Sequence, residues 1–117
     1  MTNTKIYDLE ERTLKFAKSV VNFTNLLPKT VANTEMVKQV IRSSGLVGAN
    51  YIEANESLGK KDFAMRIKIC RKEAKETIYW LKLVETNTDS LENKRDMLVK
   101  EGTELMKIFG AILLKSE

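Results

Sequence analysis

Four long stretches of this chain repeat apolar side chains at alternating intervals of three and four residues, and only one proline and five glycines stand in the 117 residues to interrupt them. That spacing lines side chains along one face of an α-helix, and so few breakers leave long helices undisturbed. Segment one runs from about Ile6 to Leu27 with Leu9, Thr13, Phe16, Val20, Phe23 and Leu27 on one stripe. Pro28 closes it, because the residue before a proline is pushed out of the helical region. Segment two is expected to take Thr34 as N-cap, to carry Val37, Val40, Ile41, Ser44, Val47, Tyr51, Ala54 and Leu58, and to stop at Gly59. Segment three starts near Asp62 as N-cap, repeats Phe63, Ile67, Cys70, Ala74, Thr77, Ile78 and Leu81, and gives out in the polar stretch from Thr86 to Asp89. Segment four takes Asp89 or Ser90 as cap, with Asp89 and Glu92 spaced like a capping box, and continues through Leu91, Leu98, Leu105, Ile108, Phe109, Ile112 and Leu113. Connections this short make successive helices antiparallel. The pattern therefore predicts an all-α, up-and-down antiparallel four-helix bundle, a single domain over residues 1–117.

Several kinds of chemistry are missing. The chain has no histidine, which removes the usual general base, the Ser-His-Asp triad, the Glu-x-x-His di-iron motif of ferritin-like bundles and the common zinc sites. Cys70 falls on the apolar stripe of segment three, where a thiol packs rather than reacts. Gly45 and Gly48 lie inside a helical pattern, not between a strand and a helix as a phosphate loop requires. We therefore expect no catalytic residues, no metal, no cofactor and no enzymatic activity. A lone cysteine, no leader-like start and no apolar run near the ~18 residues of a membrane span point to the cytoplasm and away from a membrane.

Three faces remain to be explained. A glycine inside a helix costs about 1 kcal/mol against alanine, so two of them three residues apart call for compensation. Gly48 shares the stripe of Ser44 and Tyr51, where it would let a neighbouring helix come close. Gly45 instead lines up with Ala49, Ile52 and Lys38 on the outer side, next to Arg42. Segment three repeats the oddity: Met65, Ile69, Trp80 and Leu83 cluster well away from the core stripe, close to Glu73 and Glu76. Outer apolar strips on two helices suggest a homo-oligomer interface of Arg42, Gly45, Ala49, Ile52, Met65, Ile69, Glu73, Glu76, Trp80 and Leu83, in which Arg42 pairs with Glu73 or Glu76 of a neighbour. Scattered exposed apolar residues on long helices are the plainer alternative.

The third face is basic. Lys61, Lys68, Lys72, Lys75 and Lys82 follow helical spacing with Tyr79 among them and Arg71 beside them, almost opposite the core stripe. From Lys61 to Lys82 seven basic residues face three acidic ones, so this segment alone supplies +4, equal to the net charge of the whole chain. Such a stripe suits a phosphate backbone, with Tyr79 placed to stack on an unpaired base. It is also the commonest form of a merely solvated helix face.

Specific blocks of residues carry a further reading. Leu9-Glu10-Glu11-Arg12-Thr13, Phe16-Ala17, Leu27-Pro28-Lys29-Thr30, Arg42-Ser43-Ser44, Gly48-Ala49-Asn50-Tyr51-Ile52-Glu53-Ala54 and Lys72-Glu73-Ala74-Lys75-Glu76-Thr77 through Tyr79-Trp80-Leu81 resemble the bacterial four-helix bundle proteins encoded in intervening sequences of large-subunit ribosomal RNA genes. The chain is similar also to the accessory variability determinant of diversity-generating retroelements. The likeness covers nearly the whole chain; segment four is generic, and Gly45-Leu46 stands where the family often has serine. It implies a homopentameric, barrel-like assembly with a basic surface and, for the retroelement branch, binding of nucleic acid and of a reverse transcriptase, without enzymatic activity. The leading expectation is a homo-oligomeric accessory protein that binds RNA or DNA. The alternative is a scaffold whose basic face docks an acidic protein.

Overall fold

The computed structural model describes residues 4–116, with side chains described from Leu9 to Ser116. The expected start of segment one at Ile6 and the chain ends of the 1–117 domain lie outside the described side chains. Four helices form: α1 (Thr4–Leu26), α2 (Val31–Asn55), α3 (Lys60–Leu83) and α4 (Asp89–Ser116). No strand occurs among the described residues.

The caps fall a few residues earlier than the sequence suggested. Helix α2 is capped by Thr30, whose Oγ1 accepts from the Asn33 N–H at 3.0 Å, while Thr34 sits inside the first turn and its hydroxyl donates to the Thr30 carbonyl. Gly59 does not end α2, which stops at Asn55; in extended backbone it precedes Lys60 as the N-cap of α3, with Asp62 in the first turn where its charge favours the helix dipole. Thr88 caps α4, accepting from the Leu91 N–H at 3.1 Å, and Asp89 and Glu92 follow as first-turn acids.

Each helix packs on two neighbours. Helix α1 touches α2 and α4, and α3 touches α2 and α4, so the four stand at the corners of a square with α1 and α3 on one diagonal. Contacts run antiparallel along every edge: Glu10 meets Asn55 and Thr13 meets Gly48, Asn50 meets Arg66 and Ser43 meets Thr77, Ile78 meets Gly102 and Val84 meets Arg95, and Arg12 meets Glu101 while Phe23 and Lys94 line one hollow. The result is an up-and-down bundle about 45 Å long and 27 Å by 19 Å across.

The predicted stripes supply the core. Leu9, Thr13, Phe16, Val20, Phe23 and Leu27 are buried on α1, as are Ile67, Cys70, Ala74, Thr77 and Leu81 on α3. On α2 the stripe is narrower than expected. Ile41 is 38% exposed, and Leu58, beyond the helix end, lies fully in solvent. Gly48 works as a close-contact residue, because a Cβ there would stand 2.8 Å from the Thr13 hydroxyl of α1. Gly102 does the same on α4, where a Cβ would crowd Ile78 at 3.0 Å.

Polar residues join the loops. Asn33 is 1% exposed; its Nδ2 donates to the Pro28 and Glu85 carbonyls, both at 2.9 Å, and its Oδ1 accepts from the Glu85 N–H at 2.8 Å. One buried amide thus ties the α1–α2 loop to the end of α3 and the α3–α4 loop.

Candidate nucleic-acid interface

All seven residues of the expected basic face, Lys61, Lys68, Arg71, Lys72, Lys75, Tyr79 and Lys82, are exposed on α3. The stripe does not stand directly opposite the core. Its middle leans toward α4, where Lys68, Arg71, Lys72 and Lys75 form one wall of an open groove of about 480 Å³, with Met106 and Lys107 of α4 as the other. Lys61 and Lys82 lie beyond the two ends of this groove, and from one to the other the face extends about 30 Å at 1.5 Å per residue. Tyr79 presents its ring edge-on to Trp80, with centroids 5.1 Å apart, and remains 60% exposed. Its outer ring face is open to stacking.

One cation is partly engaged already. Lys72 Nζ lies 3.7 Å from a Glu73 carboxylate oxygen. The other groove cations form no ion pair among the described residues, so their charge is directed at solvent. What the sequence did not reveal is Lys107. Lys100 and Lys107 stand two helical turns apart on the exposed side of α4, and that spacing was a visible signal in a segment otherwise without distinctive motifs.

On the proposed oligomer face, Arg42, Gly45, Ala49 and Ile52 are exposed on α2, and Met65, Glu76 and Leu83 are exposed on α3. A Cβ at Gly45 would meet nothing within 4 Å, so this glycine serves no packing need inside the monomer. Trp80, Ile69 and Glu73 are placed differently from the sequence picture. Ile69 and Trp80 are half-buried, Trp80 against the core, and Glu73 is 7% exposed. A helix at the corner of a square buries a sector wide enough for two neighbours, and these residues fall on the α2-facing edge of that sector, in line with Arg66, whose guanidinium donates to Asn50 Oδ1 of α2 at 3.0 Å.

No nucleophile is available from the cysteine. Cys70 is wholly buried, and burial pushes its thiol up to about 12, so it holds its proton at neutral pH. Burial also raises the Tyr51 phenol, which packs against Phe109 in the core. No group of three or more acidic or cysteine side chains suited to a metal ion occurs among the described residues. No described helix is long and apolar enough to cross a membrane.

The model of the 23S rRNA-intervening sequence protein family matches residues 5–111, which is nearly the entire chain. The chain belongs to this family. A solved member of the S23 ribosomal protein family, a protein of unknown function from Bacteroides thetaiotaomicron, is 32% identical and superposes with a TM-score of 0.75, over 89% of this chain and 96% of that one. No curated protein matches. The Gly-Ala-Asn-Tyr block of α2 serves the packing of the bundle: Gly48 and Asn50 set α2 against α1 and α3, and Tyr51 reaches across the core to Phe109 of α4.

Proposed function

We propose that this chain is a cytoplasmic, homo-oligomeric accessory protein, a pentamer by family resemblance, that binds RNA through the basic face of α3 completed by Lys107 of α4. The observation that carries the reading is the convergence of Lys68, Arg71, Lys72, Lys75 and Lys107 on one open groove. Cations on two rigid helices contact successive phosphates without first losing backbone freedom, and Tyr79 supplies an aromatic face for an unpaired base. RNA is favoured over DNA by the family's description, which refers to an intervening sequence of 23S rRNA. Catalysis is not part of the proposal.

Anisotropy titrations of labelled RNA and DNA oligonucleotides at several salt concentrations test it. Affinity is expected to fall steeply with salt, with a log-log slope of about −0.7 per phosphate contact on single strands and about −0.9 on duplex DNA. Lys68→Glu with Lys72→Glu and Lys75→Glu should abolish binding while leaving helicity and mass unchanged, and Lys107→Ala should flatten the slope by about one contact. Full affinity in the triple variant, or binding indifferent to salt, overturns the proposal. Light scattering on the wild-type protein should give a mass several times 13.4 kDa.

A further inference from the structure

Tyr79 keeps most of its ring in water, and the positions around it are cationic. Lys75 precedes it by one turn of α3 and Lys82 follows it by one, both on its own side of the helix, because steps of three and four residues return to the same face. The register of α4 beside it is given by Ile78, which packs against Gly102, and by Arg95, which donates to the Val84 carbonyl. That register sets Lys100 at the height of Tyr79, on the exposed side of α4 that also brings Lys107 to the groove. Lysines from two helices therefore border one exposed ring.

The ring is also braced. Trp80 is half-buried against the core and meets Tyr79 at 79° between the ring planes, an edge-to-face arrangement that aromatic pairs favour. Tyr79 is thus supported from the side of α2. One turn back along α3, Lys75 enters the groove in which Met106 supplies apolar lining between the cations. A row of cations beside aromatic and apolar surface matches an unpaired nucleic-acid strand, whose phosphates lie along the backbone and whose base faces are free. In a duplex each base face is covered by its neighbours in the stack, so that only the backbone is left for the lysines.

We infer that the α3–α4 edge selects unpaired over duplex RNA, with one base stacked on Tyr79 and the phosphates beside that base held by Lys75, Lys82 and Lys100. This rests on the RNA-binding reading above and specifies the class of strand and the residue that selects it. The lysines attract either form of RNA, whereas Tyr79 rewards only a strand that offers an open base face. One stacked base contributes on the order of tenfold in affinity. Stacking transfers no charge, so losing the ring lowers affinity without altering its salt dependence. Losing Lys100 does the reverse and removes one phosphate contact from the slope.

The test uses an unstructured RNA strand and the same strand annealed to its complement, each titrated by anisotropy across several salt concentrations. Tyr79→Leu, which keeps an apolar side chain beside Trp80 but no ring, should bind the strand about tenfold more weakly and the duplex as the wild type does, with both salt slopes unchanged. Tyr79→Phe should bind like the wild type. Lys100→Ala should flatten the slope on the strand by about 0.7. A 2-aminopurine set between uridines should lose fluorescence on binding the wild-type chain and keep it on binding Tyr79→Leu. If Tyr79→Leu weakens strand and duplex alike or weakens neither, or if the probe base stays bright with the wild type, selection by stacking is overturned while the phosphate-binding reading stands. Full affinity of the triple variant Lys68→Glu, Lys72→Glu, Lys75→Glu for both RNAs would overturn both.

Discussion

At the residue scale, the most closely held chemistry is that of Cys70. The thiol has no exposure, and burial pushes its pKa from 9.0 up to about 12, because a thiolate would lose its hydration among Ile67, Ala74 and their neighbours. Unfolding returns the side chain to water and to its ordinary value. Below that value both states keep the proton, and the thiol adds nothing to the pH dependence. Between about 9 and about 12 the unfolded chain releases a proton that the folded chain retains, so stability falls as pH rises. Urea unfolding at pH 8 and at pH 10.5 is expected to show an extra loss of about 2 kcal/mol in the wild-type chain relative to Cys70→Ala, from 1.36 kcal/mol per pH unit past the unfolded value. Equal losses in the two proteins would mean that the thiol reaches water in the folded state. The burial itself was legible from spacing, since Cys70 takes its place between Ile67 and Ala74 on an unbroken stripe. Asn33 was not legible. Nothing in a period of three and four residues marks an asparagine for the interior, because what buries it is a pair of loops that become neighbours only once the helices are assembled.

Among elements, the ends of the helices show how much depends on such assembly. Sequence placed each helix within a few residues, but its caps were assigned to Thr34 and Asp62, and the structure uses Thr30 and Gly59. Thr30 wins because a helix starting at Val31 brings Asn33 round to the loop carbonyls of Pro28 and Glu85. The same tertiary influence explains Trp80 and Glu73. A single-stripe reading assigns both to the surface, whereas α3 in fact presents a wider face to two neighbours. Gly48 was read correctly because its role depends on one contact, the approach of Thr13, that the stripe alone implies. Asn33 is therefore the side chain that fixes how α2 and α3 end together. Asn33→Ala removes three hydrogen bonds to partly buried backbone groups of Pro28 and Glu85, each contributing about 0.5 to 1.5 kcal/mol net. Chemical denaturation should show a loss of about 2 to 4 kcal/mol with unchanged far-UV dichroism. A loss under about 0.5 kcal/mol would show that the loops are held by the helices and not by the amide.

On the scale of the whole molecule, the uneven packing of the square becomes a prediction about dynamics. Helix α3 is closely packed against both of its neighbours, whereas α1 is loosely packed on both sides and is joined to α4 chiefly by Phe16, Phe23 and the Arg12–Glu101 pair. That pair is nearly one-third exposed at each side chain, so solvent and salt weaken it and it contributes on the order of 1 kcal/mol or less. In a monomer, α1 is accordingly the helix whose amides should exchange through the smallest opening, ahead of global unfolding. Hydrogen exchange followed by mass spectrometry should therefore show the amides of α1 exchanging at least tenfold faster than the core-facing amides of α3. Equal protection of α1 and α3 would mean that the bundle opens only as a whole. Adding RNA should protect the α3–α4 edge, where Lys68, Arg71, Lys72, Lys75 and Lys107 line the groove, and leave α1 exchanging as before. Protection of α1 by RNA, with the α3–α4 edge unchanged, would mean that the basic groove is not where RNA binds.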